Sequence, residues 1–312
     1  MYLVTGGAGF IGSNIVEELL RRDLPVRVVD NFATGKPKNI EPFHGRIDFQ
    51  EVDICNLEAL QDAMEGVEYV IHQAAIPSVP KSILDPISSH NADVTGTLHV
   101  LWAARQAGVK RVVYAASSSA YGDSETLPKV ETMPSHPISP YGLMKYVGEE
   151  YCRIFTEIYG LETVALRYFN VFGPRQDPSS PYSGVLSRFI TAMLKNERPA
   201  IFGDGEQSRD FTFVANVVQA NWLACHAPAA AGKVFNIACG MRISLNEVVA
   251  VLNKLLECSL QPVYEPPRTG DIKHSHADIQ QARTLLQYDP PVDFEEGLSR
   301  TVEWYRELVY GK

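Results

Sequence analysis

At 312 residues the chain can hold two modest domains, and its 45% hydrophobic fraction supplies a large core. A formal charge of −9 argues against bulk binding to nucleic acid or acidic membrane surfaces, although a few arginines in a pocket still suffice for an anionic ligand. The five cysteines (Cys55, Cys152, Cys225, Cys239 and Cys258) are odd in number, widely spaced and lack a Cys-x-x-Cys, which argues against a metal or disulfide framework and for core thiols in a reducing cytoplasm.

Tyr2–Val4 reads as a buried strand. Starting this early, it leaves no room for a signal peptide, and no apolar run approaches the roughly 20 residues that span a bilayer, so a cytoplasmic protein is expected. A glycine-rich run, Thr5-Gly-Gly-Ala-Gly-Phe-Ile-Gly12, leads into a helix over Phe10–Arg22 with Ile11, Ile15, Val16, Leu19 and Leu20 on one face. Pro25–Asp30, Asp48–Asp53 and Tyr69–Gln73 predict three more strands, followed by a long helix near Asp85–Ala107. Arg111–Ser117 predicts a fifth strand, Tyr141–Tyr159 a helix and Glu162–Tyr168 a sixth strand. This alternation predicts an α/β protein: a Rossmann-type, doubly wound parallel sheet, helices on both faces, ligands at the carboxyl ends of the strands.

Beyond Asn170 the pattern loosens. The run from Gly173 to Gly184 is rich in Pro, Ser and Gly and reads as an active-site loop. Helices near Gly184–Asn196, Val214–His226, Ser244–Glu257 and Phe294–Leu308 mix with short strands in a smaller C-terminal α/β domain. We expect residues 1–171 to bind a cofactor, with segments about 209–237 folding back onto them, and residues 172–312 mainly to bind substrate. Trp102, Trp222 and Trp304 fall in helical patterns and read as core.

The glycines point to a dinucleotide. Gly6 permits a sharp turn after the first strand, Gly9 admits backbone amides to a pyrophosphate, and Gly12 lets helix pack on strand. The helix N-terminus, at Phe10 and Ile11, offers free N–H groups and a positive dipole end. Asp30 ends the second strand, where a carboxylate accepts hydrogen bonds from ribose hydroxyls and repels a 2′-phosphate. Asn31-Phe32-Ala33 supplies no arginine, so NAD is favoured over NADP. Asp53 either meets the adenine or caps the following helix. Ala74 and Ala75 leave space for the cofactor, and Ile54 and Tyr168 are expected along it.

Tyr141 and Lys145 form the chain's single Tyr-x-x-x-Lys. A tyrosine has a pKa of about 10 in water, and a lysine one helical turn away stabilises its phenolate. Lys145 is also placed to hold the nicotinamide ribose. Ser117-Ser-Ser119, at the end of the fifth strand, provides a hydroxyl to orient a substrate oxygen. Arg209 and Arg268 are candidate diphosphate ligands by their planar donor fork, or surface ion-pair partners such as Arg268 with Asp271. His274 and His276 alternate without further ligands at metal spacing and read as solvated loop residues; no metal is expected.

With these motifs assembled, the chain resembles the NAD-dependent epimerase/dehydratase family, the extended short-chain dehydrogenase/reductases, from residue 2 to about residue 305. The likeness rests on the glycine run, on Ser117-Ser-Ser-x-Tyr-Gly122, on Tyr141-x-x-x-Lys145 and on Arg167-Tyr-Phe-Asn-Val-Phe-Gly-Pro-Arg175. Gly203-Asp-Gly205, Ser208-Arg-Asp-Phe211 and Arg268-x-Gly-Asp271 extend it. The resemblance implies enzymes acting on nucleotide-diphosphate sugars. Family dehydratases carry an Asp-Glu pair just after the position of Ser117, and decarboxylases usually a glutamate in that stretch; Ser118 and Ser119 stand there instead. That favours 4-epimerisation with recycled NAD, Tyr141 as base and acid, Ser117 on the 4-oxygen and Lys145 tuning Tyr141. By the same likeness Asn170, Val185, Arg209, Arg268 and Asp271 would anchor the nucleotide, and Ser117, Ser118 and Ser119 the sugar.

The segment Ala74-Ala-Ile-Pro-Ser-Val-Pro-Lys-Ser82, with Ser78 and Val79 as substrate contacts, is similar to that of bacterial UDP-N-acetylglucosamine 4-epimerases. Ser275 stands at a position that is tyrosine in strict UDP-galactose epimerases, and a small residue there leaves room for a 2-acetamido group. UDP-N-acetylglucosamine/UDP-N-acetylgalactosamine is therefore the expected substrate pair, with UDP-glucose/UDP-galactose also accepted. A strict UDP-glucose 4-epimerase, a UDP-glucuronate epimerase, a UDP-sugar decarboxylase and a catalytically silent NAD-binding regulator remain the alternatives. Asp93, before Val94-Thr-Gly-Thr97, departs from the family's usual asparagine. Family likeness further implies a homodimer in which Leu84–Ala107 and Tyr141–Tyr159 build a four-helix bundle.

Overall fold

The computed structural model describes residues 1–178, 184–267 and 273–311. Seven parallel strands form its central sheet: β1 (Tyr2–Thr5), β2 (Val26–Asp30), β3 (Asp48–Glu51), β4 (Tyr69–His72), β5 (Arg111–Ser117), β6 (Glu162–Tyr168) and β7 (Lys233–Ile237). Their spatial order is β7-β6-β5-β4-β1-β2-β3. The order reverses between β1 and β4, so the loops leaving these neighbours diverge and open a crevice at the carboxyl edge. The central strands are mostly apolar and buried because helices cover both faces; all seven residues of β5 are buried.

One face is covered by α1 (Phe10–Arg21), through Ile15, Val16, Leu19 and Leu20, and by a helix over Val214–His226, through Val217, Ala220 and Ala224. The other is covered by α2 (Leu57–Ala63), α3 (Gly96–Gln106) and α4 (Pro140–Tyr159). A third apolar cluster, centred on Phe172, Phe189, Phe211, Phe213 and Phe294, is built from residues after 171. Its aromatic rings meet edge-on and stacked, with Phe172 5.6 Å from Phe213 and Phe211 5.5 Å from Phe294.

The long helix expected over Asp85–Ala107 is interrupted. A short helix spans Pro86–His90, the wide turn of a π-helix spans Asn91–Thr95, and α3 continues from Gly96. The third strand ends at Glu51, two residues short of Asp53. The helix expected after Asp53 is α2, capped instead by the Asn56 side chain, which accepts the Ala59 amide; the short helices Val79–Leu84 and Gln280–Leu286 went unanticipated.

The tryptophans read as core are half-buried at its rim. Trp222 lies beneath the Arg22 guanidinium, 4.2 Å from its ring centre, and Trp102 meets Tyr159 edge-on. Of the thiols, Cys152 and Cys225 are buried, whereas Cys55, Cys239 and Cys258 are half-buried. Between α4 and β6 a buried ion pair, Arg167 to Glu149 at 2.7 Å, ties the helix that carries Tyr141 and Lys145 to the sheet. No helix among the described residues is long and apolar enough to cross a membrane.

Candidate active site

The glycine run turns from β1 into α1 with almost no clearance. Gly6 has φ +67°, and a Cβ there would lie 2.6 Å from the Ala74 amide nitrogen. A Cβ on Gly12 would lie 2.2 Å from the Gly6 carbonyl oxygen. Gly9 caps α1 without a side chain, and the first turn holds no acidic residue. The helix therefore presents its free amides and positive end, past Phe10, Ile11 and Gly12, to a cavity of about 1070 Å³. This bare backbone cradle fits a pyrophosphate.

Asp30 lies at one wall of that cavity, with Oδ2 accepting the Ala8 amide at 2.9 Å and Oδ1 the Phe32 amide at 2.7 Å. Burial pushes its carboxyl above the usual range against the pull of those amides. Its remaining lone pairs can still accept ribose hydroxyls. Asn31 donates to Asp53 Oδ2 at 3.0 Å, and the Cys55 amide donates to Asp53 Oδ1 at 2.8 Å. Burial raises the Asp53 carboxyl, but the Cys55 amide and Asn31 outweigh it, leaving it below the usual range. Asp53 is not a helix cap; Asn56 does that work, and Asp53 lines the cavity with Ile54 and Cys55. Ala74 and Ala75 line the cavity too. So does Tyr168, whose hydroxyl meets Gln73 at 3.0 Å and Asn221 at 2.8 Å.

At the opposite end stand Tyr141, Lys145 and Ser117. Ser139 caps α4 by accepting the Gly142 amide, so Tyr141 and Lys145 occupy successive turns with both side chains on the cavity. The Lys145 ammonium donates to the Ala115 carbonyl at 2.8 Å and sits 5.0 Å from the Tyr114 ring centre. Burial lowers its pKa, while Asp93, Cys152 and Glu149 hold it up. The sequence led us to expect a Tyr141 phenol lowered toward neutrality by Lys145. Instead burial pushes it well above its ordinary value and Asp93 adds to the rise, with a hydrogen bond from Ser117 pulling the other way. Ser117 also accepts the Ser119 amide at 3.2 Å, which turns the chain so that Ser118 and Ser119 face the cavity. His72, beneath this end, bridges Thr5 at 2.7 Å and Thr97 at 3.0 Å; burial drops its pKa to about 3 and keeps it neutral.

A second cavity of about 280 Å³ adjoins the first through Asn170, Val171, Gln176 and Gly184, and reaches Val185 and Arg209. Asn170 adopts φ +36° and donates to the Asp210 carbonyl at 3.1 Å and to Ser275 Oγ at 3.4 Å. Asp210 is fully buried. Its carboxylate accepts the amides of Cys239, Gly240 and Ala277, tying two further segments to the strand end beside Arg209. His274 and His276 help rather than merely face solvent: His274 meets Ser208 Oγ at 2.9 Å and His276 the Gly240 carbonyl at 3.1 Å.

Three expected substrate contacts do not reach either cavity wall: Ser78, Val79 and Ser275, the last standing behind Asn170. Ser78 is taken up as the cap of the helix Val79–Leu84, accepting the Lys81 amide, and Val79 begins that helix half exposed. Arg268 and Asp271 lie outside the described residues. Sequence reasoning missed Gln73, Ser88, Asn91, Ala92 and Thr95 on the cofactor cavity. The last three sit on the wide turn, which helical periodicity does not reveal.

A glycine-cradled cavity that carries a half-buried Tyr141 beside the buried Lys145 and Ser117 fits a nicotinamide-dependent enzyme. The chain belongs to the NAD-dependent epimerase/dehydratase family, whose model matches residues 2–238. NAD is its cofactor. A UDP-glucose 4-epimerase of Mycolicibacterium smegmatis is 36% identical over 308 residues, covering 97% of this chain and 98% of that protein. Among solved structures, a UDP-N-acetylglucosamine 4-epimerase from Methanobrevibacter ruminantium, in complex with UDP-N-acetylmuramic acid, superposes with a TM-score of 0.94 at 39% identity over 98% of each chain. The UDP-glucose 4-epimerase of Thermus thermophilus, in complex with NAD, gives 0.89 at 36% identity, again over 98% of each chain.

Because a methyl group on Gly6 would have to displace main chain in a left-handed conformation, Gly6→Ala weakens NAD binding by more than about tenfold, or about 1.4 kcal/mol. Isothermal titration with NAD measures this; unchanged affinity contradicts the cradle.

Proposed function

We propose that this chain is a UDP-sugar 4-epimerase that inverts C4 of the hexose, prefers the UDP-N-acetylglucosamine/UDP-N-acetylgalactosamine pair and also accepts UDP-glucose/UDP-galactose. The observation that carries this reading is the group on the cofactor cavity: Tyr141, with Lys145 one turn away, and the serines at 117, 118 and 119 all line it. That group moves one proton and holds one oxygen. It supplies no carboxylate beside Ser117 to expel water or guide decarboxylation.

Gly6, Gly9, Gly12 and the α1 amides would hold the pyrophosphate of NAD, Asp30 the adenosine ribose, and Lys145 and Tyr168 the nicotinamide end. When bound, NAD supplies a hydride acceptor that gives the same hydride back. As the phenolate, Tyr141 would take the proton of the 4-hydroxyl as C4 is oxidised, and as the phenol return it after the 4-keto sugar has presented its other face. Ser117 donates to the 4-oxygen throughout. The Lys145 ammonium, held by the Ala115 carbonyl, stabilises the Tyr141 phenolate once formed. Asn170, Val185 and Arg209 on the second cavity hold the nucleotide portion, and residues 172–312 serve mainly this half of the substrate. Residues 1–171, joined by β7 and the helix before it, serve the cofactor.

The substrate preference rests on Ser275. Ser275 itself lines neither cavity; it acts through Asn170, which lines both and whose side chain is 3.4 Å from the Ser275 hydroxyl, a contact that a tyrosine at this position would crowd. We further propose a homodimer through Leu84–Ala107 and Tyr141–Tyr159, since these helices expose Leu84 (76%), Ile87 (74%), Leu143 and Ile158.

Tyr141→Phe lowers kcat by about 10²–10⁴-fold, the usual contribution of a positioned acid–base group, in an assay that follows product stereochemistry for each UDP-sugar. Full activity in this variant contradicts the chemistry, and no conversion of either N-acetylated sugar contradicts the substrate choice. Ser275→Tyr cuts kcat/KM for the N-acetylated pair at least about tenfold while sparing UDP-glucose, a steric discrimination worth about 1–3 kcal/mol. For the dimer, light scattering gives twice the chain mass, and Leu84→Glu with Ile87→Glu gives a monomer; an unchanged mass in the double variant rules out this interface.

A further inference from the structure

Asp93 lies in the wide turn Asn91–Thr95, whose Ala92 and Thr95 line the cofactor cavity. It is 1% exposed. Its Oδ1 accepts the Ile76 amide at 2.7 Å, while Oδ2 is buried with no hydrogen-bond partner. The turn itself is rigidly placed: the Asp93 carbonyl accepts Thr97 Oγ1 at 2.8 Å, and Thr97 meets His72 at 3.0 Å. A buried carboxylate with one unbonded oxygen is costly unless a charge faces it. Burial raises the Asp93 carboxyl above the usual range, while the charge of Lys145 and the Ile76 amide pull it back down, and the same carboxylate also acts on Tyr141.

The other groups around this pair leave Asp93 its influence. From β4 comes His72, kept neutral by burial. From β5 come Ser117 and Tyr114, the latter a buried phenol whose ionisation burial opposes. On α4, Glu149 is matched by Arg167 at 2.7 Å, and burial keeps the Cys152 thiol protonated. From the segment after β3 comes Cys55, pushed up to about 11. Among these described neighbours, Asp93 is the carboxylate whose charge Lys145 alone answers.

We propose that the Asp93 carboxylate sets the pH window of the reaction, holding Lys145 as an ammonium and opposing ionisation of Tyr141. This rests on the reading of Tyr141 as the group that takes the substrate proton. Asp93 reaches neither substrate nor reacting atoms, so it is a positioning residue that acts through electrostatics. A negative charge favours the protonated form of both partners. It therefore moves both titrations, and with them both limbs of the rate profile, to higher pH than a neutral side chain would.

Asp93→Asn tests this, because the amide keeps an acceptor for Ile76 and removes only the charge. In the holoenzyme, both limbs of kcat against pH move to lower pH by about one unit in D93N. A merely structural role lowers kcat at every pH and leaves the limbs in place, which overturns the proposal. Tyr141→Phe is assayed alongside. If Y141F is fully active, the underlying reading of Tyr141 fails; if it is inactive and the D93N limbs do not move, the Asp93 proposal alone fails. An ultraviolet difference titration, with Y141F subtracted, reads the Tyr141 phenolate directly and places it at lower pH in D93N. Should D93N not fold, Asp93→Ser, which also lacks the charge, takes its place in both measurements, and an unmoved phenolate titration there overturns the proposal.

Discussion

Seven strands running in one direction impose the constraint on which the rest of this molecule depends. A parallel sheet delivers every strand's carbonyl end to the same edge, and a reversal of strand order parts the loops there. Gly6 after β1, Asp30 at the end of β2, Ala74 after β4, Ser117 at the end of β5 and Tyr168 at the end of β6 thus line one cavity, though they span most of the first 170 residues. The tightness of the arrangement is set at a single contact. Gly6 sits so close to the main chain at Ala74 that a Cβ would come within 2.6 Å of it. Backbone, rather than side chains, therefore lines this part of the cavity.

The chemical end follows from a second consequence of the same layering. Helix α4 packs flat on β5 and β6, so the side chains that face the sheet edge from it are buried. Lys145 is 4% exposed and Glu149 2%. Burial would discharge such groups unless each had a counterpart, and the structure supplies them: Arg167 for Glu149, and for Lys145 the Ala115 carbonyl and the Asp93 carboxylate. The apolar surroundings that make these charges costly also make each of them effective on a neighbouring titration.

Much of this was legible in the sequence, because strands and long amphipathic helices announce themselves by periodicity. β5 and β6 have the limits that their apolar runs predict, as does the helix Val214–His226. The glycine spacing and the Tyr141/Lys145 pair could be read as a site because turn chemistry and helical spacing are local. What escaped were features settled by tertiary context. The wide turn at Asn91–Thr95 looks like uninterrupted helix, yet it brings Asn91, Ala92 and Thr95 onto the cavity. Asp53 looked equally suited to cap a helix, and only the start of α2 at Leu57, with Asn56 before it, decides otherwise. Ser78 looked like a substrate contact, but its hydroxyl closes a helix end. The direction of the Tyr141 shift was missed for the same reason: one lysine four residues away is visible in the sequence, whereas burial and the carboxylate of a distant turn are not.

A redox-neutral inversion returns to C4 the same hydrogen that was removed from it. Purified enzyme is incubated with UDP-N-acetylglucosamine carrying deuterium at C4, and the product is read by mass spectrometry and NMR while reduced cofactor is followed by absorbance. The expected product is UDP-N-acetylgalactosamine that retains its deuterium at C4, with no accumulation of NADH. Loss of the label to solvent, or NADH formed in step with product, would contradict the inversion proposed for this enzyme.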